Sequence, residues 1–207
     1  MQSNQSLEAL QDIKKMMERS SRFISLSGFS GISAGLCAFV GAWLGWREIE
    51  NYKLGKGVYN GGRSVLELEM ALITIASGVL VAALILAFVF TYRRAKKNNL
   101  SLWDLTARRL MINTFVPLTV GGLFIMGLIY HGATVFVGPA CLVFYGLALV
   151  NGSKYTLGEI RYIGYGEIIL GLLNLWMLGY SLIFWTIGFG GLHIFYGIIM
   201  WWKYDRK

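Results

Sequence analysis

Two residues stand where ionisable groups are costly. Glu167 and His193 interrupt apolar runs, whereas the other strongly ionisable residues sit at the ends of such runs or between them. A carboxyl or an imidazole inside a membrane-length run can bind a proton, hold a cation or orient a polar solute. Placing a charge there costs about 2.5–3.5 kcal/mol on insertion scales, so these residues are functional candidates by default. Gly164, Glu167, Gly171 and Asn174 follow one another by three, four and three residues, which puts them on one helical face. Thr186, Gly190, His193 and Gly197 repeat by four, three and four, a second stripe of small and polar residues. Glu167 lies six residues beyond Arg161, about 9 Å of helix rise, and His193 lies ten before Lys203, about 15 Å. The two side chains can therefore meet if their helices pack. Tyr145, Tyr165 and Tyr196 are further candidates for the same neighbourhood, giving an intramembrane polar site of Glu167, His193, Asn174 and Tyr196. The plainer alternative is an interhelical hydrogen bond that helps the hairpin assemble, worth less than about 1 kcal/mol on average.

Other chemistry finds no support. The chain has no HExxH, GxSxG, P-loop or dinucleotide-binding glycine pattern. Two histidines at different depths do not suit a haem with two axial ligands. The apolar runs contain no lysine for a Schiff base. Cys37 and Cys141 fall in separate runs and read as buried small hydrophobes, without a disulfide framework or CxxC pattern. No catalytic, cofactor-binding or metal-ligating residue is expected, and the reading leans away from an enzyme.

The elements that must position these residues follow from composition. The chain is 56% hydrophobic and 14% charged over 207 residues, with 26 glycines, more apolar side chain than a soluble domain of this size covers. Its apolar runs are about 20 residues long, enough to cross roughly 30 Å of hydrocarbon. The expected fold is an all-α integral membrane protein with six spans, near residues 23–44, 68–92, 110–130, 134–150, 160–178 and 182–202. Residues 1–22 repeat Leu7, Leu10, Ile13 and Met17 at helical spacing beside four basic residues, predicting an amphipathic helix at the inner surface. Residues 203–207 form a short tail. The first run starts after 22 polar and amphipathic residues and is long enough to persist as a span, so no cleaved signal peptide is expected.

Along the chain, Ser27, Gly31 and Gly35 give a small-residue packing stripe in span one, as do Gly164, Gly171, Gly190 and Gly197 later. Ser64 with Glu67, Ser101 with Asp104 and Thr156 with Glu159 match capping boxes. A Gly-rich loop is expected over residues 47–64. Pro117 should kink span three. His131 reads as a wet residue at its end.

Basic residues set the orientation. The amino-terminal segment has four, residues 93–109 six, residues 151–161 two and the tail three, against four between spans one and two. The excess marks the cytoplasmic side, so both termini should lie there, in a cell inner membrane. The net charge of +8 thus reflects membrane topology, and nucleic acid is not an expected partner. The lipid bilayer is, with a second copy or another membrane protein as further candidates.

An internal repeat is visible too. Gly122 and Gly127 match Gly166 and Gly171, and Val143-Phe144-Tyr145-Gly146 matches Ile194-Phe195-Tyr196-Gly197. Three tandem two-helix hairpins with this glycine placement resemble the small six-span HdeD-type membrane proteins and, more broadly, bacterial inner-membrane proteins. The resemblance covers layout and carries no functional residue. Two functions stand: a non-enzymatic protein of stress response, sensing or complex assembly, and a small transporter or channel for protons, ions or a small solute. Spans two and four have almost no polar side chains, which favours the first.

Overall fold

The structure is a computed structural model that describes residues 27–55, 64–99 and 103–206. The amphipathic helix expected over residues 1–22, and Ser101, lie outside the described residues. Among the described residues the chain is helical throughout, with no strand. Five long helices run α1 Gly28–Lys53, α2 Val65–Lys97, α3 Leu105–Tyr130, α4 Val137–Gly152 and α5 Ile160–Trp176. The sixth rod, α6, spans Leu178–Tyr204 and changes pitch along its length. It begins with a 3-10 turn at Leu178–Tyr180 and an α-helical turn at Ser181–Trp185. A π-helix follows over Thr186–Leu192, then an α-helix over His193–Met200, and it closes in a second π-turn.

Local chemistry explains the boundaries. Ser64 and Glu67 form the expected capping box, with Glu67 N–H donating to Ser64 Oγ at 3.2 Å and Ser64 N–H to Glu67 Oε2 at 3.1 Å. Asp104 caps α3 through the Ala107 N–H. At Thr156 and Glu159, where a box was expected, Glu159 precedes α5 in helical conformation, and its carboxylate accepts from Lys203 and Tyr204. Residues 47–53, expected to begin a loop, are helical instead, because α1 continues to Lys53.

Both prolines sit inside helices, and the chain handles them differently. Pro139 lies in the first turn of α4, where its missing N–H would have no helical acceptor in any case. Pro117 is mid-helix in α3, and it deprives the Asn113 carbonyl of its usual donor. Asn151 of α4 replaces that donor, its Nδ2 giving a hydrogen bond to Asn113 O at 2.8 Å.

Packing is by small residues. A Cβ at Gly28 would collide with the backbone of Gly197 and Trp201, so α1 and α6 touch main chain to main chain. Gly31 faces His193 O and Gly197, Gly35 faces Gly190 O and Ile194, and Gly190 faces Phe39. Ser27, the first residue of this stripe, is buried and also caps α1 by accepting from Phe29 N–H. Gly164 and Gly146 press α5 onto α4, as does Gly171 against Pro139 O, Leu142 and Val143. The proposed repeat breaks down in α3: Gly122 and Gly127 face open space, and Gly121 is the residue packed, against Phe144.

The result is inverted relative to a soluble core. Small and polar residues fill the interior, while Phe88, Phe115, Leu123, Met126 and Phe195 are each more than half exposed. Five of the helical segments are long and apolar enough to cross a membrane, which is the character of a membrane protein. The remaining helix, α5, has 17 residues and carries the buried acid.

Candidate functional site

The site lies where α4, α5 and α6 meet. Glu167 is the eighth of the 17 residues in α5 and has no exposed surface, which follows from its place on the Gly164–Gly171 face. His193 is the first residue after the π-helix of α6 and is 9% exposed. The structure brings their side chains together, with Glu167 Oε1 3.6 Å from His193 Nδ1. That distance is too long for a hydrogen bond and short enough for strong charge coupling in an apolar surround.

The imidazole is held on both nitrogens. Nδ1 lies 3.2 Å from the Gly188 carbonyl oxygen, which can only accept, so Nδ1 carries a hydrogen. In the neutral ring Nε2 is then an acceptor, and the Tyr145 hydroxyl donates to it at 2.6 Å. Tyr145 of α4 also stacks on the imidazole at 5.4 Å between centroids, and Phe189 stacks on it at 6.1 Å while lying tilted against Tyr145 at 5.0 Å. The ring is therefore fixed in tautomer, plane and position.

Glu167 is held differently. Among the described residues, neither carboxyl oxygen has a hydrogen-bond partner. Oε2 instead faces Gly188, where a Cβ would occupy the same space and would also strike Leu142 Cδ2 at 2.6 Å. Gly188 thus does two things at once: its carbonyl orients His193, and its lack of a side chain admits the acid. The π-helix matters here because its wider turn breaks the regular ladder next to the site, a feature frequent at functional positions.

Asn174 is also fully buried, but it belongs to another cluster. It lies two helical turns from Glu167, and its Oδ1 accepts from Ser181 Oγ at 3.0 Å, tying the end of α5 to the start of α6. Its Nδ2 has no hydrogen-bond partner among the described residues and points toward Gly138 of α4. Successive positions on α4 separate the clusters: Gly138 faces Asn174, Leu142 comes one turn later, and Tyr145 faces His193. Leu142 has no exposed surface and fills the space between them.

Of the other sequence candidates, Tyr196 lays its ring against Gly31 and buries its hydroxyl. Tyr165 is 46% exposed and turns away from the site. Cys37 and Cys141 are free and half-buried, so neither is the fully buried hydrophobe expected. His131 is exposed as the C-cap of α3. Among the described residues, no three His, Cys, Asp or Glu side chains group in a way that could hold a metal.

Sequence reasoning missed Gly188 as a site residue and ranked Tyr145 below Tyr196. The run Gly188, Gly190 and Gly191 carried a signal, because closely spaced glycines lower the cost of an irregular helix turn. Chemically, the trio can relay one proton. A proton arriving at Nε2 releases one from Nδ1, and a small movement closes the 3.6 Å to a bare carboxyl oxygen. No protein-family model, curated protein or solved structure matches the chain, so the reading of this site rests on its geometry.

Proposed function

We propose that the protein is a proton-responsive, multi-pass protein of a bacterial inner membrane, with Glu167, His193 and Tyr145 as its proton-binding site. In this reading six helices cross the bilayer as three hairpins, with both termini cytoplasmic. The sensing role belongs to the non-enzymatic class. The observation that carries it is a fully buried carboxyl with no hydrogen bond to either oxygen, beside an imidazole held on both sides. A purely structural polar pair would be hydrogen-bonded, since a half-satisfied network gives less stability than an apolar contact. A group whose charge changes benefits from the looser arrangement.

Enclosure favours sensing over passage. Glu167 has no exposed surface, and neither the cleft between α3 and α4 nor the one at the end of α2 is lined by it. The second reading, a proton-coupled transporter, draws on one observation: the Asn174–Ser181 cluster lies beyond Leu142 on the same side of α4. Movement of that leucine would join the two polar clusters.

Difference infrared spectroscopy of the purified protein tests the reading. Between about pH 4 and about pH 9 the carboxyl spectrum should include one titrating band that Glu167→Gln removes while leaving the bands of the other acids and the helix content unchanged. His193→Gln should shift the titration. A wild-type spectrum identical to that of Glu167→Gln across the range would defeat the proposal. Proton flux in liposomes separates the readings, since the sensor carries none and a transporter loses its flux in Glu167→Gln.

A further inference from the structure

The carboxyl end of α2 holds a feature that the buried site does not use. An open cleft of about 460 Å³ is lined by Phe88, Val89, Tyr92, Arg93, Lys96 and Lys97. These positions recur by three and four, so they share one face of a single helix. The face is sharply divided. Phe88 and Tyr92 stack at 6.2 Å and form an apolar wall that is exposed along its length. Arg93, Lys96 and Lys97 follow within little more than one turn, all exposed, and no carboxylate pairs with them among the described residues.

Four cations, Arg94 included, crowd into little more than one turn and repel one another. Charge at this end does complement the free carbonyls of the helix, as any basic last turn would. That effect acts on basic side chains all round the helix and does not explain the aromatic wall beneath Arg93, Lys96 and Lys97. An apolar wall below and a cationic rim above match an amphiphile with an anionic head: acyl chain along Phe88 and Val89, phosphate between Arg93, Lys96 and Lys97, and the Tyr92 hydroxyl at the boundary. Basic pockets at the cytoplasmic edge of membrane helices bind anionic lipid headgroups in this way. A free phosphate would use the rim and leave the wall bare.

We infer that the cleft at the end of α2 is a binding site for an anionic phospholipid, with Arg93, Lys96 and Lys97 holding its phosphate and Phe88 and Tyr92 its acyl chain. The inference rests on the membrane reading of the preceding subsection, and it adds a ligand and a place for it. It does not depend on the proton site.

The test uses the full chain in a mild non-ionic detergent, with thermal unfolding and native mass spectrometry as readouts. Phosphatidylglycerol should raise the unfolding midpoint and remain bound in the gas phase, whereas phosphatidylcholine and inorganic phosphate should do neither. The variant Arg93→Gln/Lys96→Gln/Lys97→Gln should lose the phosphatidylglycerol effect, at about fivefold in affinity per cation removed. Arg108→Gln/Arg109→Gln, which removes charge elsewhere, should keep it. Phe88→Ala should weaken the lipid without creating a response to phosphate. The site is overturned if phosphatidylcholine matches phosphatidylglycerol, if inorganic phosphate reproduces the shift, or if the triple variant retains it. Extraction of cell membranes with alkaline carbonate, run in parallel, tells the two failures apart. A chain released by carbonate defeats the membrane reading and the site with it, whereas a retained chain that does not discriminate lipids defeats the site alone.

Discussion

A methyl group at residue 188 would land on Glu167 Oε2 and 2.6 Å from Leu142 Cδ2, neither of which has room to retreat. Gly188→Ala should therefore cost about 1–3 kcal/mol by overpacking, against a gain in helix propensity of up to about 1 kcal/mol. Gly191, three residues on, has nothing within 4 Å of the same added atom. Gly191→Ala should be neutral or slightly stabilising, and thermal unfolding of the two variants side by side measures the difference. Equal midpoints would mean that the acid does not sit against residue 188. At this scale the sequence was readable where chemistry is rare. A lone carboxyl and a lone imidazole on small-residue faces led to the 3.6 Å approach of Glu167 and His193. The partner of the imidazole was less readable, because Tyr145, Tyr165 and Tyr196 are chemically alike and only tertiary packing tells them apart. Asn174 was placed on the correct face but at the wrong level, since a helical face continues for many turns beyond any one site.

Between helices, the polar contacts repair what the local sequence breaks. Asn151 donates to the carbonyl that Pro117 strands, so Asn151→Leu should destabilise the α3–α4 pair by about 1 kcal/mol. In a Pro117→Ala background the helix supplies its own donor, and the same change should then cost little. A double-mutant cycle on unfolding free energies checks this, and strict additivity would refute the compensation. Glu159 ties the start of α5 to the end of α6 through Lys203 and Tyr204. Burial alone would push its carboxyl up, but hydrogen bonds from Lys203, its own backbone and Tyr204 outweigh this and hold it below its ordinary value of 4.5. A carboxyl depressed in the folded chain stabilises above its unfolded value and loses that contribution as pH falls through the folded one. The latch should therefore weaken in acid, below about pH 4.5, by no more than about 1 kcal/mol for so exposed a pair. Wild type should lose unfolding midpoint on acidification relative to Glu159→Gln, and parallel pH curves would argue against the latch. Helix number and approximate extent were legible from apolar run length, and the Ser64–Glu67 cap from its motif; the second motif pointed to Ser101 as a cap, whereas Asp104 itself caps α3. The π-helix was not, because it differs from an α-helix by one residue per turn and leaves the hydrophobic pattern nearly unchanged.

Across the whole molecule, the distribution of charge makes the boldest claim. Fifteen basic residues fall on one side of the proposed topology and four on the other. Single cysteines at Lys53 and Lys97, in a chain with Cys37 and Cys141 replaced by alanine, should label from outside and from inside respectively. Labelling of both from one side would overturn the orientation. The repeat was the least reliable whole-chain reading: a glycine pair such as Gly122 and Gly127 looks the same in sequence whether it faces a neighbour or open space.

The backbone seam between Gly28 and Gly197 carries a further consequence, one of timing. It joins the first and the last of the described helices, so during synthesis α1 emerges long before the surface that completes it. Until α6 leaves the ribosome, the groove around Gly31 and Gly35 has no partner, and α1 and α2 must wait as an unfinished pair. A nascent chain halted after α5 would hold every residue of that groove and still be open along it, a substrate for quality-control proteases. The final helix therefore completes the site with His193 and, in the same step, releases the first helix from that exposure.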